Sequence, residues 1–200
     1  MNRNDVINLI FDKYNFQSYL HIGAPSDEIL YEIKAPIKQG VTSILTQYNE
    51  TFFDSGSNDF FASCPLEQKY DVIYIEGIYV FEQVYSDIQN AKARLSESGF
   101  IIIGGINPPT ESCTVPLQHY TSGAWLGQAY KAYIRSKYEE PDWAGFALDL
   151  DFGYGILTPQ HILENRRFVL GSALSWAKFE EFRKELLQLI TVEEYVDLLK

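Results

Sequence analysis

The segment that most constrains the fold is residues 71–77, which read DVIYIEG. Its first five residues are apolar almost throughout, and turn-forming residues bound them. A short, nearly continuous apolar run of this kind is typical of a strand buried on both faces, as in parallel sheets that carry helices on both sides. We therefore expect a central parallel strand whose carboxyl end, at Glu76 and Gly77, lies at the ligand-binding edge of the sheet.

Further strands and helices alternate around this segment. The apolar patterns predict strands and helices over these ranges: strands at 18–23, 40–45 and 100–103, and helices at 27–33 and 80–95. This alternation implies right-handed crossovers. The predicted fold class is α/β, a doubly wound, mostly parallel, Rossmann-like sheet flanked by helices. Ligands of such sheets bind at the carboxyl ends of the strands, so function is expected in the loops after Gly23, Leu45, Gly77 and Ile103.

The two ends of the chain add helices and an edge to this sheet. The patterns predict the following elements: an N-terminal amphipathic helix at about 4–15, a helix at 125–137, strands at 145–149 and 154–157, and a helical tail at about 175–199 that consists of a helix at 175–189 and a short one at 192–199. Asn4 is a candidate cap for the first helix. The two late strands suggest an antiparallel edge. Because no linker or repeat interrupts the pattern, residues 1–200 are expected to form a single domain.

The charge balance argues against some classes of partner. The formal net charge is -11, and binding to phosphate backbones depends on basic patches that release counterions. Nucleic acid is therefore not an expected partner. The same acidic excess would repel an anionic membrane surface. No apolar run approaches the length needed to span a membrane, and the first twelve residues do not have the pattern of a signal peptide.

The cysteine content points to a reducing compartment. Cys64 and Cys113 are the only two cysteines, and they lie far apart without a CxxC motif or a histidine cluster. Neither a zinc site nor a disulfide framework is predicted. A cytoplasmic location fits this pattern best.

Several stretches, taken in order, resemble a known enzyme family. They are Tyr19-Leu20-His21-Ile22-Gly23, residues 33–41, 57–61, 71–87, 99–111 (GFIIIGGINPPTE), 125–131, 149–156 and 183–194. In order and spacing they resemble the class I S-adenosylmethionine-dependent methyltransferases, and within them the small branch associated with glycan and surface-polysaccharide genes. The resemblance implies S-adenosylmethionine as cofactor and a glycan or other small molecule as methyl acceptor.

The sequence departs from this family at the positions that carry its chemistry. The family pattern expects an acidic residue at His21, a glycine at Asp27 and an aspartate at Thr42 that would bind the cofactor ribose. Its Asp-Gly-x-His motif appears here as Glu76-Gly77-Ile78-Tyr79, and its His-Asp pair as Gly104-Gly105. Tyrosine is a much poorer base than histidine near neutral pH, because its pKa is near 10.

The resemblance nevertheless implies a set of site residues. Those expected to bind the cofactor are Gly23, Ala24, Ser26, Thr42, Ser57, Glu76 and Gly77. Those expected to take part in catalysis are Glu76, Tyr79 and His119. A structural interpretation stands beside each: the loop after Gly23 as an ordinary turn, Tyr79 as a stacking residue and His119 as an exposed loop histidine. Asp149 and Asp151 would share one face of a strand, as a metal-binding pair or as a solvated surface; no metal site is predicted.

Two functions from different classes follow from these residues. One is a methyltransferase with altered cofactor and catalytic motifs, since transfer by proximity needs little acid-base help. The other is a noncatalytic protein that keeps the fold as a binding or scaffolding module, which the joint loss of the ribose, glycine and His-Asp signals favours. The apolar C-terminal helices could pack on the domain or on another subunit, so an oligomer is compatible with either function.

Overall fold

The computed structural model describes residues 1–23, 27–42, 52–54, 56–160, 162–163 and 174–200. Within these ranges, eight strands form one sheet: β1 Ser18–Gly23, β2 Ile37–Thr42, β3 Phe52–Asp54, β4 Tyr70–Glu76, β5 Leu95–Gly104, β6 Ala144–Leu148, β7 Tyr154–Thr158 and β8 Leu189–Ile190. Their order across the sheet is β3-β2-β1-β4-β5-β7-β6-β8. Strands β3, β2, β1, β4 and β5 are parallel, whereas β7 is antiparallel to both β5 and β6. The predicted fold class is confirmed, including the antiparallel C-terminal edge.

Eight helices accompany the sheet in the described part of the chain. They are α1 Arg3–Tyr14, α2 Asp27–Glu32, α3 Ser57–Ser63, α4 Phe81–Arg94, α5 Ala129–Glu139, α6 Trp176–Glu181, α7 Arg183–Leu187 and α8 Val192–Leu198. Short 3-10 turns at Glu111–Thr114 and Leu117–His119 punctuate the long connection before α5. None of the helices in the described ranges is long and apolar enough to cross a membrane.

Strand β4 is buried on both faces, and its alternating side chains divide the core into two clusters. Ile73 and Ile75 pack with residues of α3, α4, α5, α6 and α7 on one face. Val72 and Tyr74 pack with residues of α1, α2 and α8 on the other face. This alternation places the side chain of Glu76, two residues beyond Tyr74, on the same face as α1.

Some element bounds differ from the sequence patterns. Strand β2 begins at Ile37 and not at residue 40, because its backbone pairs with β1 from Ser18 onward; Ile37 itself is exposed and so gives no burial signal. Residues 43–45, predicted to end this strand, lie outside the described residues. Helix α1 is capped by the side chain of Asn2, not that of Asn4.

The C-terminal tail is more divided than the pattern predicts. Helices α6 and α7 meet at Phe182, and Gln188 adopts a left-handed conformation with φ 51° that ends α7. The next two residues form β8, which runs parallel to β6 and pairs with Ala147 and Leu148. A two-residue strand leaves no periodic signal in the sequence, so the prediction that the first tail helix continues through Leu189 was wrong.

Helix α5 carries a lysine that is entirely buried. Lys137 has no exposed surface, and its Nζ donates a hydrogen bond to the carbonyl oxygen of Leu186 at 3.3 Å. Its ammonium group also lies 5.0 Å from the ring centroid of Tyr138. Burial lowers the pKa of Lys137 to about 7, whereas an unfolded lysine titrates near 10.4. The folded protein therefore releases this proton at a pH where the unfolded chain still holds it.

This difference predicts a pH dependence of stability. Between pH 7 and 9 the unfolded state binds more protons at Lys137 than the folded state, so the free energy of unfolding should rise with pH, approaching about 1.4 kcal/mol per pH unit. We expect the free energy of unfolding of Lys137→Met, measured by urea unfolding, to rise less steeply with pH across this range. Lys200→Met, which removes an exposed lysine, is the control and should follow the wild-type slope. Equal slopes for wild type and Lys137→Met would contradict the prediction.

Candidate functional site

The carboxyl ends of β1 and β4 lie side by side, at the end of the sheet where a ligand is expected to bind. Gly23, the last residue of β1, is the register partner of Glu76, the last residue of β4. Gly23 has φ +144°, and a Cβ built on it would lie 2.3 Å from the carbonyl oxygen of Glu76. No side chain fits at that distance. Glycine is thus required at residue 23 by the close approach of two strands.

The side chain of Glu76 is held by three neighbours. Its Oε2 receives hydrogen bonds from Arg3 Nη1 at 2.7 Å and from the Tyr74 hydroxyl at 2.9 Å. Its Oε1 lies 3.5 Å from the Tyr79 hydroxyl. The ion pair with Arg3 is partly exposed, with 21% of the arginine and 36% of the glutamate side chain accessible. The carboxylate is therefore ordered and its charge is balanced.

Aromatic and imidazole groups lie around this carboxylate, with Tyr74 on the α1 side of the sheet and Tyr79 packed on the side of α4 and α5. The pKa values of Tyr74 and Tyr79 are raised, mainly by burial and to a smaller extent by the charge of Glu76. The pKa of His21 is lowered to about 3, mainly by burial and to a smaller extent by the positive charge of Arg3. The Nδ1 of His21 lies 3.1 Å from the Tyr19 hydroxyl, and its ring meets Tyr74 edge-on. At neutral pH these phenols keep their protons, and an imidazole with so low a pKa binds a proton only weakly, so none of them serves readily as a base.

The space beside Gly104 and Gly105 is filled by neighbouring side chains. A Cβ on Gly104 would lie 2.8 Å from the Tyr74 hydroxyl oxygen. Gly105 has φ +73°, and a Cβ there would lie 3.1 Å from Leu126 and 3.2 Å from the ring of Tyr79. Side chains at these two positions would collide with the tyrosines. The Gly-Gly pair is therefore fitted to the tyrosine cluster.

The other residues predicted to bind a cofactor have varied surroundings. Thr42 ends β2 and is buried, with 4% of its surface exposed. The Ser57 hydroxyl accepts a hydrogen bond from Gln83 Nε2 at 3.0 Å and also bonds with Asp87, which ties α3 to α4. Gly77 has open space beside it, since a Cβ there would meet nothing within 4 Å. Ala24 and Ser26 lie outside the described residues.

The remaining sequence candidates are not gathered at Glu76. His119 is exposed in a 3-10 turn, and in the described ranges its ring makes no hydrogen bond with Glu76 or Tyr79. Asp149 and Asp151 lie in the turn between β6 and β7, not along a strand, because β6 ends at Leu148. Asp149 bonds with Asn107 and Asp151 with Tyr154. No group of three histidine, cysteine or carboxylate side chains within the described ranges is arranged to hold a metal ion.

Sequence reasoning missed two arginines that organise this edge. Arg3 lies before the stretch that resembles the methyltransferases, and only its place in the first turn of a helix could have drawn attention to it. Arg183 donates from Nη1 to the side chain of Asn107 and to the carbonyl of Pro108, both at 2.7 Å. Its guanidinium stacks over Trp176 and Phe179. Contact with Arg183 thus fixes the loop after β5 to the C-terminal tail.

Comparison with known proteins relates this geometry to one kind of fold. No protein-family model matches the sequence, and no curated protein is similar to it. Among solved structures, the O-methyltransferase from Bacillus cereus in complex with SAH has a TM-score of 0.57 at 12% identity, covering 79% of this chain and 81% of that chain. The chain has the fold of a methyltransferase.

Two further structures agree with this. SAH-bound methyltransferase PaMTH1 from Podospora anserina has a TM-score of 0.56 at 14% identity, covering 78% of this chain and 77% of that chain. The O-methyltransferase TomG from Streptomyces achromogenes, in complex with SAM, has a TM-score of 0.54 at 8% identity, covering 78% of both chains. At such low identities the likeness shows the methyltransferase fold, and the glycan-associated branch stays a prediction.

The contact at Gly23 leads to a test of stability. Gly23→Ala should lower the free energy of unfolding by about 1–3 kcal/mol, because alanine would be strained at φ +144° and would collide with the Glu76 carbonyl. Gly77→Ala is the matched control at the same edge, since its Cβ would enter open space; its change should stay within about 0.5 kcal/mol. Urea unfolding of both variants measures the difference. An equal loss of unfolding free energy in the two variants would contradict the requirement for glycine where β1 approaches β4.

Proposed function

We propose that this protein binds S-adenosylmethionine at the carboxyl edge of its sheet and transfers the methyl group to a glycan or other small-molecule acceptor. The observation that carries the proposal is Gly23 at the end of β1, which brings backbone close to the end of β4 in a sheet with the methyltransferase fold. In doubly wound sheets, ligands bind in the crevice beyond these strand ends. The SAM and SAH complexes of similar fold support the same choice of cofactor.

The described residues fit such a nucleoside in part. The open space beside Gly77 leaves room for a ligand, whereas the space beside Gly23 is taken by the carbonyl group of Glu76. Gly23, and Ala24 and Ser26, which follow it in the sequence, belong to the proposed set of cofactor-binding residues. Thr42, which takes the place of the family's aspartate, is buried and contributes no carboxylate for the ribose. When bound, the cofactor supplies an electrophilic methyl group on a sulfonium sulfur.

The surrounding side chains favour transfer by proximity. Glu76 is paired with Arg3, and raised pKa values keep Tyr74 and Tyr79 protonated. Within the described ranges, the chain therefore offers no strong base beside the strand end, and its contribution would be to bind and orient the acceptor. In this proposal Tyr79 forms a wall of the site. His119 remains a candidate residue for the acceptor side, in the long loop before α5.

A second candidate function is that of a noncatalytic binding or scaffolding module. The observation that favours it is the filled space around Gly104 and Gly105, where the tyrosines occupy the room that the family's His-Asp side chains would need. The pairing of Glu76 with Arg3, which balances its charge, points the same way. A module of this kind would keep the sheet for its surfaces and would have lost the cofactor.

A titration separates the two candidates. We expect isothermal titration of the purified protein with S-adenosylmethionine and with SAH to give heats that fit micromolar dissociation constants. Absence of heat with both would contradict the proposal and favour the noncatalytic module. Where binding is found, incubation with S-adenosylmethionine and a panel of monosaccharides and nucleotide sugars, followed by mass spectrometry, should reveal an acceptor that gains one methyl group.

A further inference from the structure

The two oxygens of the Glu76 carboxylate have different surroundings. Oε2 receives both strong hydrogen bonds, from Arg3 at 2.7 Å and from Tyr74 at 2.9 Å. Oε1 has a single long contact in the described part of the chain, at 3.5 Å from the Tyr79 hydroxyl. Since a carboxylate oxygen accepts up to two hydrogen bonds, Oε1 retains capacity for another donor. One oxygen is anchored and the other is open.

Arg3 occupies a position that is electrostatically unfavourable for a cation. It is the first residue of α1, whose capping box joins Asn2 and Asp5. The amino end of a helix carries partial positive charge, which disfavours a cation there by about 0.3–1 kcal/mol. Partly exposed ion pairs contribute little stability in return. A residue whose charge is unfavourable at its position in a helix, and which gives no clear gain in stability, is a candidate for a functional role.

The guanidinium of Arg3 is itself held in place. Its Nε donates to Asn4 Oδ1 at 3.2 Å, and its plane lies over the ring of Tyr74, 5.5 Å from the centroid. Asn4 in turn donates to Glu32 at the end of α2. This chain of contacts gives Arg3 a defined orientation toward Glu76. A rigid cation can fix the direction of a carboxylate as well as neutralise it.

Oε1 lies at the edge where the nucleoside is proposed to bind. Glu76 is the register partner of Gly23. A Cβ built on Gly104 would lie 3.6 Å from Oε1 but 2.8 Å from the Tyr74 hydroxyl oxygen, so no ligand approaches from that side. Because 36% of the Glu76 side chain is exposed, the carboxylate can be reached from outside, at a point between the end of β1 and the end of β5.

We propose that Arg3 is a positioning residue that holds Glu76 through Oε2, so that Oε1 accepts a hydrogen bond from an N–H or O–H donor of the bound nucleoside. The identity of the ligand rests on the proposed function, whereas the positioning of Glu76 by Arg3 does not. The donor is the α-ammonium group or a ribose hydroxyl of the nucleoside. Arg3 acts on the ligand only through Glu76.

A double-mutant cycle with SAH as the probe tests this coupling. Arg3→Met and Glu76→Gln should each weaken binding about tenfold in isothermal titration, and the double variant should be no weaker than either single variant, because all three remove the same contact. Arg3→Lys should restore part of the affinity, since it keeps the charge but lacks the planar fork. Lys34→Met is the control: it breaks the exposed pair with Asp12 on α1 and should bind SAH like wild type.

A second probe identifies the donor. 5′-Methylthioadenosine has the ribose and adenine of SAH but no amino-acid group. If Arg3→Met weakens the binding of SAH alone, the α-ammonium group is the donor. If it weakens the binding of both probes equally, a ribose hydroxyl is the donor. Either result supports the proposal. The proposal would be overturned if the losses of SAH binding free energy in the two single variants added up in the double variant, or if Arg3→Met bound SAH like wild type.

Crystal structures of the ligand-free wild type and Arg3→Met keep the test separate from cofactor binding. In the variant, the Glu76 carboxylate should leave the Tyr74 hydroxyl and adopt another rotamer. If it keeps its wild-type position, Arg3 does not position it, whether or not the protein binds SAH. If wild type binds neither probe while Glu76 moves in the variant, the positioning is supported and the nucleoside is the part that fails.

Discussion

Burial of β4 on both faces constrains the elements around it. A strand with apolar side chains on both faces needs a helical layer on each side, and α1 with α8 and α3 with α4 and α5 supply them. The same burial fixes the register, because a slip by one residue would exchange Ile73 and Ile75 with Tyr74 and Glu76 across the sheet. The location of Glu76 beside Gly23 is thus a consequence of core packing.

Alternation along the strands also explains why the edge is rich in tyrosine. Tyr19 and His21 on β1, with Tyr74 on β4, point to the α1 side, where their rings are buried and their polar tips meet one another. Such side chains fill core volume and still need hydrogen-bond partners. Glu76 and Arg3 complete that set at the strand end. The polar cluster is therefore continuous with the hydrophobic core beneath it.

The sequence predicted the parts of this fold whose signals are local. Strands β1 and β4, the second half of β5 and the two strands of the β6–β7 hairpin are mostly apolar runs near turn residues, so their patterns were sufficient. Strand β8 and the break between α6 and α7 depend on pairing with β6, which no local pattern encodes. The contact of Arg3 with Glu76 joins residues 73 positions apart. It could not be predicted, because the direction of a side chain depends on how α1 packs.

Charge balance around Glu76 suggests what kind of ligand group this edge tolerates. Arg3 and Glu76 together are neutral, and the depressed pKa of His21, caused by burial and then by Arg3, keeps the imidazole uncharged. A ligand group with one net charge, placed directly against Glu76 and Arg3, would find no excess counter-charge in this cluster. A group with both charges, such as an amino acid with its ammonium and carboxylate, could meet Glu76 Oε1 with one end while Arg3 lies close by. Separated charges matched by a fixed ion pair cost less to bury than a single unpaired charge, which would favour a zwitterionic portion in the nucleoside that we propose as ligand.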